Sequence, residues 1–216
     1  MKNILFRQIC HSHVSHKAAV RAIAPQFKAP SVIDSATVEV SLDQFKGKYL
    51  VMLFYPFDFT FVCPTELISF SDSMNEFKKL DTNVLGVSTD SIFSHKAWLS
   101  MPRKQGGVSG LTFPLVSDFN KSISKDFGFL VEESSDKLYG ASLRGLAIID
   151  NNSVVRHLQV TDASVGRNVE EVLRVVEALQ FADKNGEVCP ANWKKGNATI
   201  KPTAEGMKEF ASKTYN

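Results

Sequence analysis

The segment YLVMLFYPFDFTFVCPTE, residues 49–66, joins a buried strand to the start of a helix through a short aromatic loop. Residues 49–55 form a nearly continuous apolar run, which is typical of a central strand with both faces covered. Pro56 ends this strand, and Pro64 stands at a position that favours the first turn of a helix. The helix itself is predicted from apolar residues spaced three and four apart: Leu67, Phe70, Met74 and Phe77.

Outside this segment the sequence continues to alternate between strand and helix patterns. Further strands are predicted at 37–40, 83–88, 113–116, 145–150 and 154–159, and helices at 92–99 and 121–127. Asn151, Asn152 and Ser153 supply a turn between the last two strands, which predicts an antiparallel hairpin. A last core helix is predicted from an apolar stripe: Val169, Val172, Leu173, Val176 and Leu179. The pattern indicates an α/β domain over residues 25–190, with a mixed sheet covered by helices on both faces.

The two ends of the chain differ from this domain. Residues 1–24 contain four basic residues and no acidic one, and they account for the formal net charge of +2. A basic, serine-bearing segment without a continuous apolar stretch is typical of an organellar transit peptide. We predict that residues 1–24 are such a peptide, removed or disordered, and that the mitochondrial matrix is favoured over cytoplasm or plastid. Residues 191–216 form a C-terminal extension, either a helix over 205–213 capped by Thr203 or an irregular arm.

Composition excludes several classes of function. No dense basic patch indicates a nucleic-acid partner, and no apolar run approaches the roughly 20 residues of a membrane helix. Three cysteines are too few, and odd in number, for a secreted disulfide framework. We therefore expect a reducing compartment and catalytic thiols. Cys10 falls in the predicted leader, as does the histidine group His11, His13 and His16, which we interpret as incidental rather than as a metal site.

Cys63 is the candidate nucleophile. It precedes Pro64 at a helix start, where unpaired N–H groups and the positive end of the helix dipole favour the thiolate. A small buried structural cysteine is the alternative interpretation. Thr60 offers a hydroxyl near this thiol, and Pro56 is placed to wall off solvent. These are features that a thiolate needs to cleave an O–O bond.

Charged residues complete this candidate site. Arg144 begins the strand 145–150 and is the natural guanidinium donor, although a solvated charge at a strand edge is the alternative. Glu66 lies one helical turn after Cys63 and is placed to hold that arginine.

Cys189 is the second candidate thiol. It lies in GEVCPANW, residues 186–193, after the last core helix, and its distance along the chain excludes a CxxC motif with Cys63. The Gly and Pro around it indicate a loop that can move or reach another subunit. An exposed bystander thiol is the alternative.

Residues 54–66, FYPFDFTFVCPTE, resemble the active-site segment of the typical 2-Cys peroxiredoxins. PRKQGG at 102–107, SLRGL at 142–146 and VCPANW at 188–193 are similar to further segments of that family, so the resemblance covers about residues 24–193. It implies a thioredoxin-like fold and a peroxidase that needs no metal or organic cofactor. It also implies a homodimer, often assembled into a decameric ring, that thioredoxin reduces.

The resemblance assigns a role to each candidate residue. Cys63 would be the peroxidatic cysteine that peroxide oxidises to a sulfenic acid, and Cys189 of the partner subunit would resolve it as a disulfide after local unwinding of the helix start. Pro56, Thr60 and Arg144 would complete the pocket around the thiol. Glu66 and Arg167 would form an ion network around Arg144.

Two departures and one alternative accompany this interpretation. Eukaryotic relatives carry a Gly-Gly-Leu-Gly segment and a C-terminal Tyr-Phe pair that clamp the active-site helix. Gly106–Gly107–Val108–Ser109 and Phe210–Ala211 stand there in this chain. The weaker clamp predicts faster unwinding and resistance to over-oxidation. The alternative function is a holdase chaperone ring with secondary peroxidase activity.

Overall fold

The computed structural model describes residues 17–215, and these form one mixed sheet with helices packed on it. Within this range the strands are β1 (Lys28–Ile33), β2 (Ala36–Ser41), β3 (Tyr49–Phe54), β4 (Thr82–Ser88), β5 (Leu115–Ser117), β6 (Arg144–Ile149) and β7 (Val155–Thr161). The α-helices of the same range are α1 (Cys63–Asp72), α2 (Met74–Lys79), α3 (Ile92–Ser100), α4 (Ser122–Asp126), α5 (Val169–Asn185) and α6 (Ala204–Thr214). None of the helices described between residues 17 and 215 is long and apolar enough to cross a bilayer.

The sheet has the order β2-β1-β5-β4-β3-β6-β7. β3, β4 and β5 run parallel, and the remaining neighbours pair antiparallel. The predicted mixed sheet of thioredoxin-like type is therefore confirmed, as is the hairpin between β6 and β7. β3 lies between β4 and β6 near the middle of the sheet, where its continuous apolar run is required.

Two hydrophobic clusters cover the two faces of this sheet. Alternate residues of β3 divide between them, with Val51 in one cluster and Met52 in the other. The first cluster takes in α1, α2 and α5 through residues such as Phe70 and Val176, and the second includes α4 through Ile123. Both β3 faces are therefore buried, which fixes the strand end that leads to Cys63.

Several element boundaries differ from the predictions. β1 was not predicted, because Pro25 and Pro30 indicated a loop, yet β1 pairs along its length with β2. The single helix predicted after Pro64 is divided at Ser73 into α1 and α2, where ψ is 4°. The predicted helix after Thr203 is confirmed, since the Thr203 hydroxyl accepts from the Gly206 N–H at 3.0 Å.

The predicted transit peptide, residues 1–24, is only partly within the described range. Its first sixteen positions lie outside it, together with Cys10 and the three histidines. The Ala18 N–H donates to the Asp126 carbonyl at 2.8 Å, and the Ala24 N–H donates to the Ser153 carbonyl at 2.8 Å. Residues 18–24 therefore pack against α4 and the β6–β7 turn.

Candidate active site

The loop from β3 to α1 carries the candidate nucleophile. The Tyr55 N–H donates to the Val87 carbonyl at 3.0 Å and keeps the chain beside β4 beyond the end of the strand. Pro56 is buried, and the chain turns through Phe59, whose φ is +55°. Cys63 is the first residue of α1. The loop that follows β3 therefore carries this thiol.

Cys63 is buried beside a guanidinium. Its side chain belongs to the core, with 1% of the residue exposed, and Arg144 Nη1 donates to Cys63 Sγ at 3.7 Å. Arg144 begins β6, which pairs directly with β3. The alternative interpretation of Arg144, a solvated charge at a strand edge, is excluded because only 2% of the residue is exposed.

Glu66 holds two buried arginines. It accepts from Arg144 Nη1, and from Arg167 Nε at 2.7 Å and Nη2 at 2.9 Å. The Arg167 backbone N–H also donates to Glu66 at 2.7 Å. Burial acts to raise the pKa of Glu66, but the hydrogen bonds and charge of Arg167, with the charge of Arg144, outweigh it and hold that pKa below its usual range.

The charge of this cluster matters for Cys63. Two guanidinium groups face one carboxylate, which leaves one positive charge in a buried site. An uncompensated buried charge is costly, and the Cys63 sulfur is the group that lies beside it, 3.7 Å from Arg144 Nη1. This argument is independent of the helix dipole.

Backbone carbonyls complete the fixation of both arginines. Arg144 Nη2 donates to the Ala163 carbonyl at 2.6 Å, and Arg167 Nη1 donates to the Phe54 carbonyl at 2.8 Å and to Gly145. Gly145 leaves no room for a side chain, because a Cβ there would overlap the Phe129 ring. Carbonyl partners of this kind leave no signal in the sequence, and they were not predicted.

Thr60 lies on the same loop, and its hydroxyl donates to the Phe57 carbonyl at 2.9 Å. This bond fixes the rotamer of Thr60 and leaves the hydroxyl oxygen free to accept. The structure therefore brings Cys63, Glu66, Arg144 and Arg167 into one cluster, with Pro56 and Thr60 on the loop that precedes it.

Cys189 lies elsewhere, against α5. Its Sγ donates to the Ala178 carbonyl at 3.6 Å, and burial raises the pKa of this thiol while Arg174 opposes the rise. Both Cys63 and Cys189 are free thiols. Trp193, buried near Phe181 with ring centroids 5.1 Å apart, holds the segment after Cys189 on the helix.

One buried polar group next to the site was not predicted. Asp58 stands within the aromatic loop and bonds to Tyr55, Ser94 and His95. The sequence did contain a signal for Asp58, a single carboxylate within a run of aromatic residues. A carboxylate that is buried among such residues needs hydrogen-bond partners.

Comparisons with known proteins agree with this geometry. The family model "AhpC/TSA family" matches residues 20–158, and "C-terminal domain of 1-Cys peroxiredoxin" matches residues 178–213. The chain is 52% identical over 200 residues to the mitochondrial thioredoxin-dependent peroxide reductase of Mus musculus, covering 93% of this chain and 76% of that protein. It is 48% identical to Peroxiredoxin-2 of Bos taurus, covering 95% and 98%.

A solved structure shares the fold. Reduced 2-Cys peroxiredoxin of Plasmodium vivax superposes with a TM-score of 0.85 at 43% identity, covering 89% of this chain and 98% of that one. The chain therefore shares its overall fold with a solved 2-Cys peroxiredoxin.

Proposed function

The chain belongs to the AhpC/TSA family of peroxiredoxins, and we propose that it is a thioredoxin-dependent thiol peroxidase acting on hydrogen peroxide and small organic hydroperoxides. The observation that carries this proposal is the buried Cys63 thiol, 3.7 Å from Arg144 Nη1, in a cluster with excess positive charge. The names of the relatives, peroxide reductases and peroxiredoxins, support the same activity. No described contact favours the holdase chaperone over it.

The first step is oxidation of Cys63. Its thiolate attacks one peroxide oxygen, the O–O bond breaks, and the departing oxygen leaves as water or alcohol after taking a proton. The sulfur becomes a sulfenic acid. Arg144 stabilises the charge that moves from sulfur to the departing oxygen. Its Nε is buried without a hydrogen-bond partner among residues 17–215, so this N–H is available to a peroxide oxygen.

The other pocket residues act on this step through position. Glu66 holds the Arg144 guanidinium beside the sulfur, and Arg167 in turn holds Glu66. The Thr60 hydroxyl accepts a hydrogen bond from the peroxide, and Pro56 excludes water from the reacting atoms. Pre-organised donors of this kind need no rearrangement during the reaction.

Resolution of the sulfenic acid is assigned to Cys189 of a partner subunit. The Cys189 thiolate attacks the Cys63 sulfur, a disulfide forms, and the hydroxyl leaves as water with one proton. Thioredoxin then supplies two electrons and two protons by thiol–disulfide exchange and restores both thiols. We propose a homodimer as the working unit and a ring of five dimers as its further assembly.

The mitochondrial matrix is the proposed location. Relatives at 52% identity are named mitochondrial, as is a Plasmodium falciparum 2-Cys peroxiredoxin of similar structure, whereas the Peroxiredoxin-2 relatives are not. Because Ala18 and Ala24 are bonded into the fold, we propose that a transit peptide is cleaved before Ala18. Import into isolated mitochondria followed by N-terminal sequencing tests this, and a mature end beyond Ala18 would contradict it.

A non-reducing gel tests the catalytic cycle. The full-length protein receives one equivalent of hydrogen peroxide, beside Cys63→Ser, Cys189→Ser and the control Cys10→Ser. A covalent dimer in wild type and in Cys10→Ser, absent from the other two and reversed by thioredoxin, is the expected result. Peroxide consumption that survives Cys63→Ser would overturn the assignment of the nucleophile. A monomer that still consumes peroxide would overturn the role of Cys189.

A further inference from the structure

The buried Asp58 carboxylate connects the active-site loop to α3 through hydrogen bonds. Its Oδ1 accepts from the Tyr55 hydroxyl at 2.9 Å, and its Oδ2 accepts from the Ser94 hydroxyl at 2.8 Å. His95 Nδ1 lies 2.8 Å from the same Oδ2. The Asp58 and His95 side chains are 1% and 0% exposed. Bonds in such surroundings are strong, and a missing partner is costly.

The opposite side of His95 shows how the hydrogens are arranged. Its Nε2 lies 3.3 Å from the Val116 carbonyl on β5. A carbonyl only accepts, so Nε2 is the donor of this contact. The pair therefore ties the loop to β5 as well as to α3.

The Asp58 backbone is held independently of its side chain. Its N–H donates to Asp90 Oδ2 at 3.0 Å, and the same oxygen accepts from the Ser88 hydroxyl at 2.7 Å. Burial raises the pKa of Asp90, and the nearby charge of Asp58 raises it further. Asp58 is thus anchored on two sides, by the end of β4 and by α3.

The residue after Asp58 adopts a backbone conformation that its side chain does not favour. Phe59 has φ of +55°, which is rare for a bulky residue. Its ring is about half exposed and lies 5.9 Å from the Trp98 ring. Conformations of this kind persist only where the surroundings impose them. The Asp58 anchor imposes this one, four residues before Cys63.

The loop must nevertheless open during the proposed cycle. A disulfide needs two sulfurs about 2.05 Å apart, and Cys63 is 1% exposed within its own chain. No second thiol can reach it without movement of the loop or of the start of α1.

We propose that Asp58 is a positioning residue that holds residues 56–62 in the conformation in which Cys63 lies beside Arg144, and that its release from Ser94 and His95 accompanies the opening that admits Cys189. This inference rests on the proposed peroxidase function. Asp58 stabilises only the closed state, so it sets the equilibrium between reaction with peroxide and resolution.

The proposal predicts that a change at Asp58 affects two rates differently, the rate of Cys63 oxidation by peroxide and the rate of disulfide formation. Asp58→Asn removes the negative charge, so the charge-assisted hydrogen bonds of this carboxylate to Ser94 and His95 are lost and weaker neutral ones replace them. Loss of these bonds raises the open population, and disulfide formation is expected to become about tenfold faster. Oxidation of Cys63 by peroxide, which uses the closed state, stays equal or becomes slower. A general loss of stability would not speed one step selectively.

The experiment is quenched-flow alkylation of the full-length enzyme after one equivalent of peroxide, which separates thiol, sulfenic acid and disulfide with time. Asp118→Asn is the matched control, because Asp118 is 1% exposed and accepts two backbone N–H groups of α4 without contact to the loop. Ser94→Ala deletes one hydroxyl and is expected to accelerate disulfide formation less than Asp58→Asn does. It replaces Asp58→Asn in the test if that variant does not fold.

Faster disulfide formation in Asp58→Asn and Ser94→Ala, with Asp118→Asn unchanged, supports the proposal. A resolution rate within about twofold of wild type, less than the loss of one buried hydrogen bond predicts, overturns it. Equal acceleration in Asp118→Asn overturns it as well. Failure of the peroxidase proposal is seen separately, as the absence of peroxide consumption by the wild-type protein.

Discussion

Glu66→Gln removes the single negative charge between two buried arginines, and we expect it to be among the most destabilising conservative changes in the chain. Glu66 Oε1 accepts from the backbone N–H and Nε of Arg167, whereas Oε2 accepts from Arg144 Nη1 and Arg167 Nη2. A glutamine keeps the first oxygen but presents an amide NH₂ to the second pair of donors.

The expected cost follows from these four bonds. Two charge-assisted hydrogen bonds are lost, each worth about 1.5–3 kcal/mol, and two guanidinium groups stay buried without a counter-charge. The free energy of unfolding should fall by about 4 kcal/mol, within the range measured when one partner of a buried ion pair is removed. Arg144 also loses its alignment, so the reaction of Cys63 with peroxide should slow.

The assay is urea unfolding of the reduced protein at fixed protomer concentration, since assembly contributes to apparent stability. The pH dependence supplies a second observable. The folded pKa of Glu66 is lowered, so its carboxylate stabilises the fold fully above the unfolded value of about 4.3 and progressively less as pH falls through the folded value. The difference between wild type and variant should therefore be constant near neutrality and shrink only in acid.

Glu76→Gln is the control, because Glu76 pairs with Lys79 at 2.7 Å on the exposed surface and should contribute little. A difference between wild type and Glu66→Gln below about 1 kcal/mol at neutral pH, the size of an exposed pair, would refute the reasoning. So would a difference that persists unchanged to strong acid.

Three further outcomes are expected. Arg144→Lys loses the planar fork, and stopped-flow measurement should show peroxide reaction with Cys63 at least about 100-fold slower; a smaller loss would argue against a direct role. Thr60→Ser should retain most of the rate that Thr60→Val loses, whereas equal rates would make the hydroxyl dispensable. Mass spectrometry should find little sulfinic acid on Cys63 at peroxide concentrations that over-oxidise relatives with the complete clamp; abundant sulfinic acid would contradict the reading of Phe210–Ala211.

The sequence patterns located the strands and the thiol well, because burial leaves a periodic signal. The apolar run of β3 and the spacing along α1 and α5 follow directly from packing on both faces of one sheet. The position of Cys63 at a helix start followed from Pro64 alone. Glu66 was predicted from its place one helical turn after Cys63, whereas Arg167 entered through family resemblance, and the structure shows the physical reason for their pairing.

What the sequence did not show depends on contacts between distant segments. The carbonyls of Phe54 and Ala163 that hold the arginines carry no side-chain signature. Asp58 and His95 lie 37 positions apart, and only the packing of α3 beside the loop makes them partners. β1 was missed because local proline content outweighed pairing that its neighbour β2 supplies.

The Glu66–Arg167 pair spans 101 positions of the chain, and the contact of Cys63 with Arg144 spans 81. A ribosome releases residues in order, so an emerging chain displays Cys63 long before either arginine exists to face it. During that interval the thiol has no guanidinium beside it. The buried charge cluster around Cys63 therefore cannot form until the chain has been made at least as far as Arg144, and it is complete only once Arg167 has been added.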